Sequence, residues 1–215
     1  MTDLNEISRS LQAGKSGETV NLIYKAIKEK YSPDCIIKQG IMAGMRTVEQ
    51  RFRRNEILAP ELLLAERAMN RGIETIRACS LFPRRETGGT VVIGTVKGEL
   101  QDIKKNLTKV LMDAMGLRVI DLGVSVSHDR FIAAAESARL IIAYAELTTT
   151  MPQIKILIQA LMHSELKNRV KIMICGSPVT EQYRYSVGAD LYGGDPAEAA
   201  EKALKALKVL GANTM

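Results

Sequence analysis

The 215-residue chain has no Trp, and its Phe and Tyr together bring aromatics to only 4%. With 46% hydrophobic residues and so few rings, its core has to be aliphatic, with ten Met as gap fillers. Scarce aromatics leave little to stack on bases, and no DNA-reading motif is present. The densest basic run, Arg51-Phe52-Arg53-Arg54, therefore reads as a solvated helix face and not as a nucleic-acid surface. The net charge of +6 is mild and spread along the chain. Cysteines number three (Cys35, Cys79 and Cys175). An odd count at wide spacing excludes a disulfide frame or a zinc site and fits reduced thiols in a cytoplasmic protein. No apolar run is long enough to span a membrane, and Met1-Thr2-Asp3-Leu4 lacks the basic start and apolar core of a signal peptide.

Two different patterns fill the chain. Residues 1–17 are polar and predict a short helix or a frayed start. From Glu18 to about Lys30, apolar spacing at Val20, Ile23, Tyr24 and Ile27 predicts an amphipathic helix. Ser32-Pro33-Asp34 supplies a cap and a first-turn Pro for a helix carrying Ile36, Ile41, Met45 and Val48. Asn55 to Pro60 breaks it, and Pro60-Glu61 opens another, with Leu62, Ala65, Met69, Ile73 and Ile76. Residues 1–82 are thus expected to form a bundle of about four helices. Met42, Met45 and Met69 fall on its apolar stripes. Phe82-Pro83-Arg84-Arg85-Glu86-Thr87-Gly88-Gly89 reads as a linker.

Residues 90–215 alternate instead. Strands are expected at 90–94, 118–123, 140–144, 170–176 and 189–193. Helices are expected at 104–115, 129–137, 151–163 and 196–210, with a short one through Tyr183. Strands separated by helices of this length predict an α/β domain, a doubly wound parallel sheet with right-handed crossovers. In such sheets a ligand sits beyond the carboxyl ends of the strands. The glycine-bearing loop Gly94-Thr95-Val96-Lys97-Gly98-Glu99-Leu100-Gln101, between the run Val91-Val92-Ile93 and a helix, is where a site is expected. It lacks the Gly-Lys-Ser/Thr of a phosphate-binding loop.

The ordered set of motifs resembles the small corrinoid proteins of methyltransferase systems, from about residue 18 to the end. In the first half these are Gly40-Ile41-Met42-Ala43-Gly44-Met45, Arg51-Phe52 and Glu56-Ile57-Leu58-Ala59-Pro60-Glu61-Leu62. In the second they are Gly94-Thr95-Val96-Lys97-Gly98, Asp102-Ile103, Lys105-Asn106-Leu107, Val119-Ile120-Asp121-Leu122-Gly123-Val124, Leu147-Thr148-Thr149-Thr150-Met151, Pro178-Val179-Thr180 and Gly188-Ala189-Asp190. The resemblance implies an N-terminal four-helix bundle followed by a Rossmann-like cobalamin domain. It also implies a methyl carrier working with a partner methyltransferase subunit, rather than a stand-alone enzyme. No membrane or nucleic-acid partner is implied, and a homodimer is left open. The cofactor implied is cobalamin or a related corrinoid. Its binding residues would be Val96, Lys97, Gly98, Glu99, Gln101 and Lys104 after the first strand, Tyr144, Leu147, Thr148, Thr149 and Thr150 after the third, Gly176 after the fourth, and Gly193 and Gly194 after the fifth.

Several of these positions depart from the family. Its loop reads Asp-x-His-x-x-Gly, the His being the lower cobalt ligand and the Asp its orienting partner. Here those positions hold Glu99, Gln101 and Lys104. Gln101 is a neutral, weakly basic substitute for imidazole, so no metal ligand is assigned. The family's Ser that lines the channel for the nucleotide tail falls on Tyr144, whose phenol would fill that space. The position of Glu146 is usually apolar, and a Gly-Gly pair falls on Cys175-Gly176. His128 reads as a surface residue at a helix start, His163 as a structural helix-end residue, and Cys175 as packing. Glu99 and Glu146 are placed to face each other across the strand tops, without a nucleophile. Two functions stay open. One is a methyl carrier holding cobalamin without a histidine ligand. The other is a paralogue that has lost cobalamin and acts as a non-catalytic binding or regulatory subunit.

Overall fold

In a computed structural model, which describes residues 2–79 and 89–212, the first helix begins where Asp3 accepts the Asn5 N–H at 2.9 Å. This helix, α1 (Leu4–Gln12), is regular from Leu4 because Leu4, Ile7 and Leu11 bury one face, so the start is not frayed. Helix α2 (Ser16–Lys28) follows. Ser32 caps α3 (Pro33–Cys35) by accepting the Cys35 N–H at 3.2 Å. The helix then widens into a π-helical stretch (Ile36–Met42) and continues as α4 (Ala43–Arg53). Glu61 accepts the Leu58 N–H at 2.8 Å ahead of α5 (Ala59–Ala78). Met42, Met45 and Met69 are buried, as their spacing predicts. The expected linker lies outside the described residues except for Gly89. The chain divides into two units, Met1–Arg85 and Glu86–Met215.

The second unit is a five-stranded parallel sheet: β1 (Thr90–Thr95), β2 (Arg118–Asp121), β3 (Leu140–Tyr144), β4 (Lys171–Cys175) and β5 (Leu191–Gly193), in the order β2-β1-β3-β4-β5. Side chains alternate between faces. Ile141, Ala143 and Ala145 join Phe131 of α7 (His128–Ala135) and Ile154, Leu157 and Ile158 of α8 (Met151–Met162) in one core. Tyr144 points the other way, to α6 (Ile103–Ala114), which packs beside α10 (Pro196–Ala212). Both faces of the sheet are covered, which is why β1 and β3 read as unbroken apolar runs. A short α9 (Glu181–Val187) precedes β5. Between α6 and β2, Lys105 Nζ lies 2.8 and 3.0 Å from the two Asp121 carboxylate oxygens. Burial raises the Asp121 pKa, but Lys105, the Gly123 N–H and Lys109 outweigh it and hold it below the ordinary value. Among the described residues, no helix is long and apolar enough to cross a membrane.

From β1 the chain steps outward to β2, and then crosses to β3 on the other side of β1. The crevice of a sheet in this order opens at that reversal, above the ends of β1 and β3.

Candidate functional site

The loop leaving β1 is held from both sides. The Val96 N–H donates to the Tyr144 carbonyl at 2.9 Å, and Val96 bridges Val126 in parallel register. The Thr95 hydroxyl donates to the Glu99 carbonyl at 2.6 Å and accepts the Ser125 N–H at 2.9 Å. The Gly98 N–H donates to Ser125 Oγ at 3.0 Å. These bonds leave Lys97, Gly98 and Gln101 exposed, and Leu100 is 71% exposed.

Glu99 points inward and is fully buried. Its Oε1 accepts the Gln101 N–H at 3.0 Å. Its Oε2 accepts the N–H groups of Glu146 at 2.9 Å and Leu147 at 3.0 Å, and the Thr150 hydroxyl at 2.9 Å. The carboxylate thus bridges the β1/β3 crevice and ties the loop after β3 to the loop after β1. Burial alone would raise its pKa. The bonds from Gln101, Thr150, Glu146 and Leu147 outweigh burial and hold it below the ordinary carboxyl range. Glu99 meets Gln101 through the backbone, so the carboxylate does not orient the residue 101 side chain. Nor do Glu99 and Glu146 form the acid pair that their positions suggested: Glu99 grips the backbone of Glu146 while the Glu146 carboxylate turns elsewhere.

That second carboxylate organises a separate cluster. Glu146 Oε2 accepts the Ser177 hydroxyl at 2.5 Å and its N–H at 3.1 Å. Lys104 Nζ donates to Ser177 Oγ at 2.7 Å and lies 3.4 Å from Glu146 Oε2. The Lys104 and Glu146 side chains are only 13% and 7% exposed. The start of α6 is thereby fastened to the loops after β3 and β4. Glu146 Oε1 is buried and has no hydrogen-bond partner among the described residues.

Below this edge, on the α6 face, the Tyr144 hydroxyl lies 2.5 Å from Thr108 Oγ1, and both residues are buried. Cys175, opposite Tyr144 in the β3–β4 register, is buried too. Burial pushes its thiol up to about 12 despite the Tyr144 hydroxyl and the Gly193 N–H, with Glu146 and Glu198 adding to the rise. A thiol so placed is inert. Native protein treated with a thiol reagent near pH 8 is expected to leave Cys175 unmodified until denaturant is added. Peptide mass mapping checks this, and prompt labelling of Cys175 in the native state would refute its packing role.

Gly176 has φ +132°, and a Cβ there would lie 1.8 Å from the Ala145 carbonyl oxygen, so only Gly fits. At Gly193 a Cβ would lie 2.7 Å from Ala199 Cβ and 2.9 Å from Cys175 Sγ. Both glycines are packed against protein atoms rather than lining an open surface. The Gly194 N–H is occupied by Glu198 Oε2 at 2.6 Å, and Lys202 holds that carboxylate at 2.9 Å.

The structure therefore separates the predicted site residues into two layers. Lys97, Gly98, Gln101, Leu147, Thr148 and Thr149 are exposed on the edge loops. Val96, Glu99, Tyr144, Thr150, Gly176 and Gly193 are buried beneath, while Lys104 and Gly194 are partly buried. His128 begins α7, its Nε2 3.4 Å from Asp129, and His163 follows α8 with Nδ1 2.7 Å from the Gln159 carbonyl; both are helix-end residues. Thr108, Ser125, Ser177 and Glu198 were missed. Thr108 was within reach of sequence reasoning, since it lies four residues past Lys104 on the same helix. Glu198 was equally within reach, its partners Gly194 and Lys202 lying four residues to either side, whereas Ser125 and Ser177 are loop residues whose partners are distant in sequence.

Residues 3–77 match a family described as a B12 binding domain, and residues 89–205 match a second family of the same description. The first match includes α1, so the likeness starts well before residue 18. A dimethylamine corrinoid protein of Methanosarcina barkeri is 32% identical over 209 residues, covering 95% of this chain and 97% of that protein. The structure of a monomethylamine corrinoid protein from the same organism superposes with a TM-score of 0.69 at 26% identity, covering 93% of this chain and 96% of that one. A chain of a methanol:cobalamin methyltransferase complex, also from Methanosarcina barkeri, gives a TM-score of 0.59 at 26% identity, covering 94% of this chain and 78% of that one. With matched domains in both units and a relative of this identity over almost the whole length, the chain belongs to the corrinoid protein family built from B12 binding domains.

Proposed function

We propose that this protein is the corrinoid-bearing subunit of a methyltransferase system, seating the corrinoid on the edge loops without a protein imidazole beneath it. The observation that carries the reading is the set of three loops above β1, β2 and β3, the first bonded to each of the other two. Glu99 ties the first to the third, and Ser125 ties the first to the second. Exposed on them are Leu100, Val124 and Leu147, apolar side chains suited to a flat macrocycle. The relatives' names supply the system: a dimethylamine corrinoid protein and a chain of a methanol:cobalamin methyltransferase complex. A partner methyltransferase subunit belongs to this reading.

The edge loops fit a corrinoid ring. The interior beside α6 does not fit a nucleotide tail, because Tyr144 and Thr108 occupy it. A bound corrinoid supplies a cobalt that can carry a methyl group. The chain's contribution is a rigid seat, with Gln101 exposed where the family has its ligand and Glu99 engaged with backbone instead of with that side chain. A neutral amide oxygen binds cobalt far more weakly than imidazole.

The packed interior favours a second reading, a subunit that has lost the corrinoid and serves only in binding or regulation. The test is retention of hydroxocobalamin, methylcobalamin or diaquacobinamide by the purified protein after desalting, read by absorbance. Retention of any of the three is expected. Loss of all three would abandon the carrier reading for the second one.

A further inference from the structure

The layer beneath the edge loops, between the sheet and helices α6 and α10, is closed by side chains. Tyr144 is 2% exposed, and its hydroxyl meets Thr108, which also reaches the Pro196 carbonyl of α10 at 3.4 Å. Cys175 fills the neighbouring position on β4, and on β5 even the Cβ of an alanine at Gly193 would collide with Cys175 and Ala199. The borders are fastened as well. Lys104 crosses to Ser177 and Glu146 on one side, and Glu198 covers the Gly194 N–H on the other. Admitting a heterocycle and its sugar phosphate would require breaking the Tyr144–Thr108 bond and parting α6 from α10. A single rotamer change of Tyr144 would leave its ring with nowhere to go in so dense a layer. The loops above, by contrast, present exposed groups without any such rearrangement.

Resting on the corrinoid reading, we infer that the site takes its ligand by the ring alone and leaves any nucleotide tail outside the protein. The ligand class is then a tailless, cobinamide-type corrinoid, or a cobalamin that keeps its own base on cobalt. Tyr144 is the residue that sets this selectivity.

The experiment titrates the full-length protein with diaquacobinamide and with hydroxocobalamin and records the absorbance spectrum of each complex. The expected result is a cobinamide affinity no worse than about tenfold below that of cobalamin, with any bound cobalamin remaining base-on. A base-off cobalamin spectrum on the wild-type protein, or a preference for cobalamin beyond about tenfold, would overturn the inference while leaving the corrinoid function standing. Failure of both ligands to bind would remove that function and the inference with it. Tyr144→Ser is expected to shift the preference toward cobalamin by about tenfold or more and to turn the bound form base-off, whereas Tyr144→Phe, which keeps the volume, should not. If Tyr144→Ser does not fold, the wild-type comparison decides the matter.

Discussion

Tyr144→Ser is expected to lower unfolding free energy by about 4 kcal/mol, the cost typical of truncating a buried aromatic side chain. The ring sits at the carboxyl end of a central strand, and its layer is filled by Thr108, Cys175 and the start of α10. Removing it loses the burial of the ring and leaves a cavity that rigid neighbours on a parallel sheet cannot collapse to fill. Tyr144→Phe separates the two contributions. It keeps the ring but deletes the hydroxyl facing Thr108, and its expected cost is about 1 kcal/mol, because Thr108 still has the Pro196 carbonyl as acceptor. Urea denaturation of both variants measures the difference. Equal costs for the two would mean that the ring is not a packing element and that the layer is looser than described.

Glu99→Ala is expected to destabilise the protein by about 3 kcal/mol, because charge-assisted bonds to buried groups are lost together. The N–H groups of Gln101, Glu146 and Leu147 lose their acceptor, while the Thr150 hydroxyl falls back on the Leu147 carbonyl at 2.9 Å. Hydrogen exchange at the Glu146 and Leu147 amides should accelerate more than at the middle of β3, since the change unfastens the loop and not the strand. Glu99→Gln offers one oxygen where two accept, so its amide nitrogen opposes a donor, and the expected cost is about 2 kcal/mol.

The same site gives a pH signature. The carboxyl of Glu99 is held below its ordinary value of 4.5 in the folded protein. The folded state therefore binds the proton less readily than the unfolded chain. The resulting stabilisation is complete above 4.5 and disappears as pH falls through the depressed folded value. Wild-type stability should fall on acidification below pH 4.5 more steeply than that of Glu99→Gln. Asp121, also held down, is common to both proteins and drops out of the comparison. Parallel acid profiles would show that Glu99 is not the buried, ionised staple that its partners indicate.

The secondary elements were largely legible because periodicity reports burial directly. Leu140-Ile141-Ile142-Ala143-Tyr144 is a strand at its predicted ends, since a parallel strand covered on both faces has to be apolar throughout. Ser32 was legible as a cap because that interaction spans three residues. The start of the chain was legible only as a short helix or a frayed start, and it is the short helix. Its three buried apolar side chains are spaced at three and four residues among polar and charged neighbours, and a short helix gives few positions from which to see the period. The motif positions around Gln101 could be aligned by residue order, and the departures at Glu99, Lys104 and Tyr144 were visible there as identities alone.

What those side chains do was a different matter. A carboxylate at position 99 gives no hint whether it faces a ligand or a neighbouring loop, and its partners at 146, 147 and 150 are about fifty residues away. Glu146 likewise reads as one half of an acid pair until Ser177 and Lys104 arrive from other loops. Local pattern, carried by backbone hydrogen bonds and by the spacing of apolar residues, was enough for most helices and strands and for the parallel sense of the sheet, while the strand order came with the fold. The direction of each polar side chain depends on which acceptors and donors the crossovers bring within 3 Å, and that came only with the packed fold.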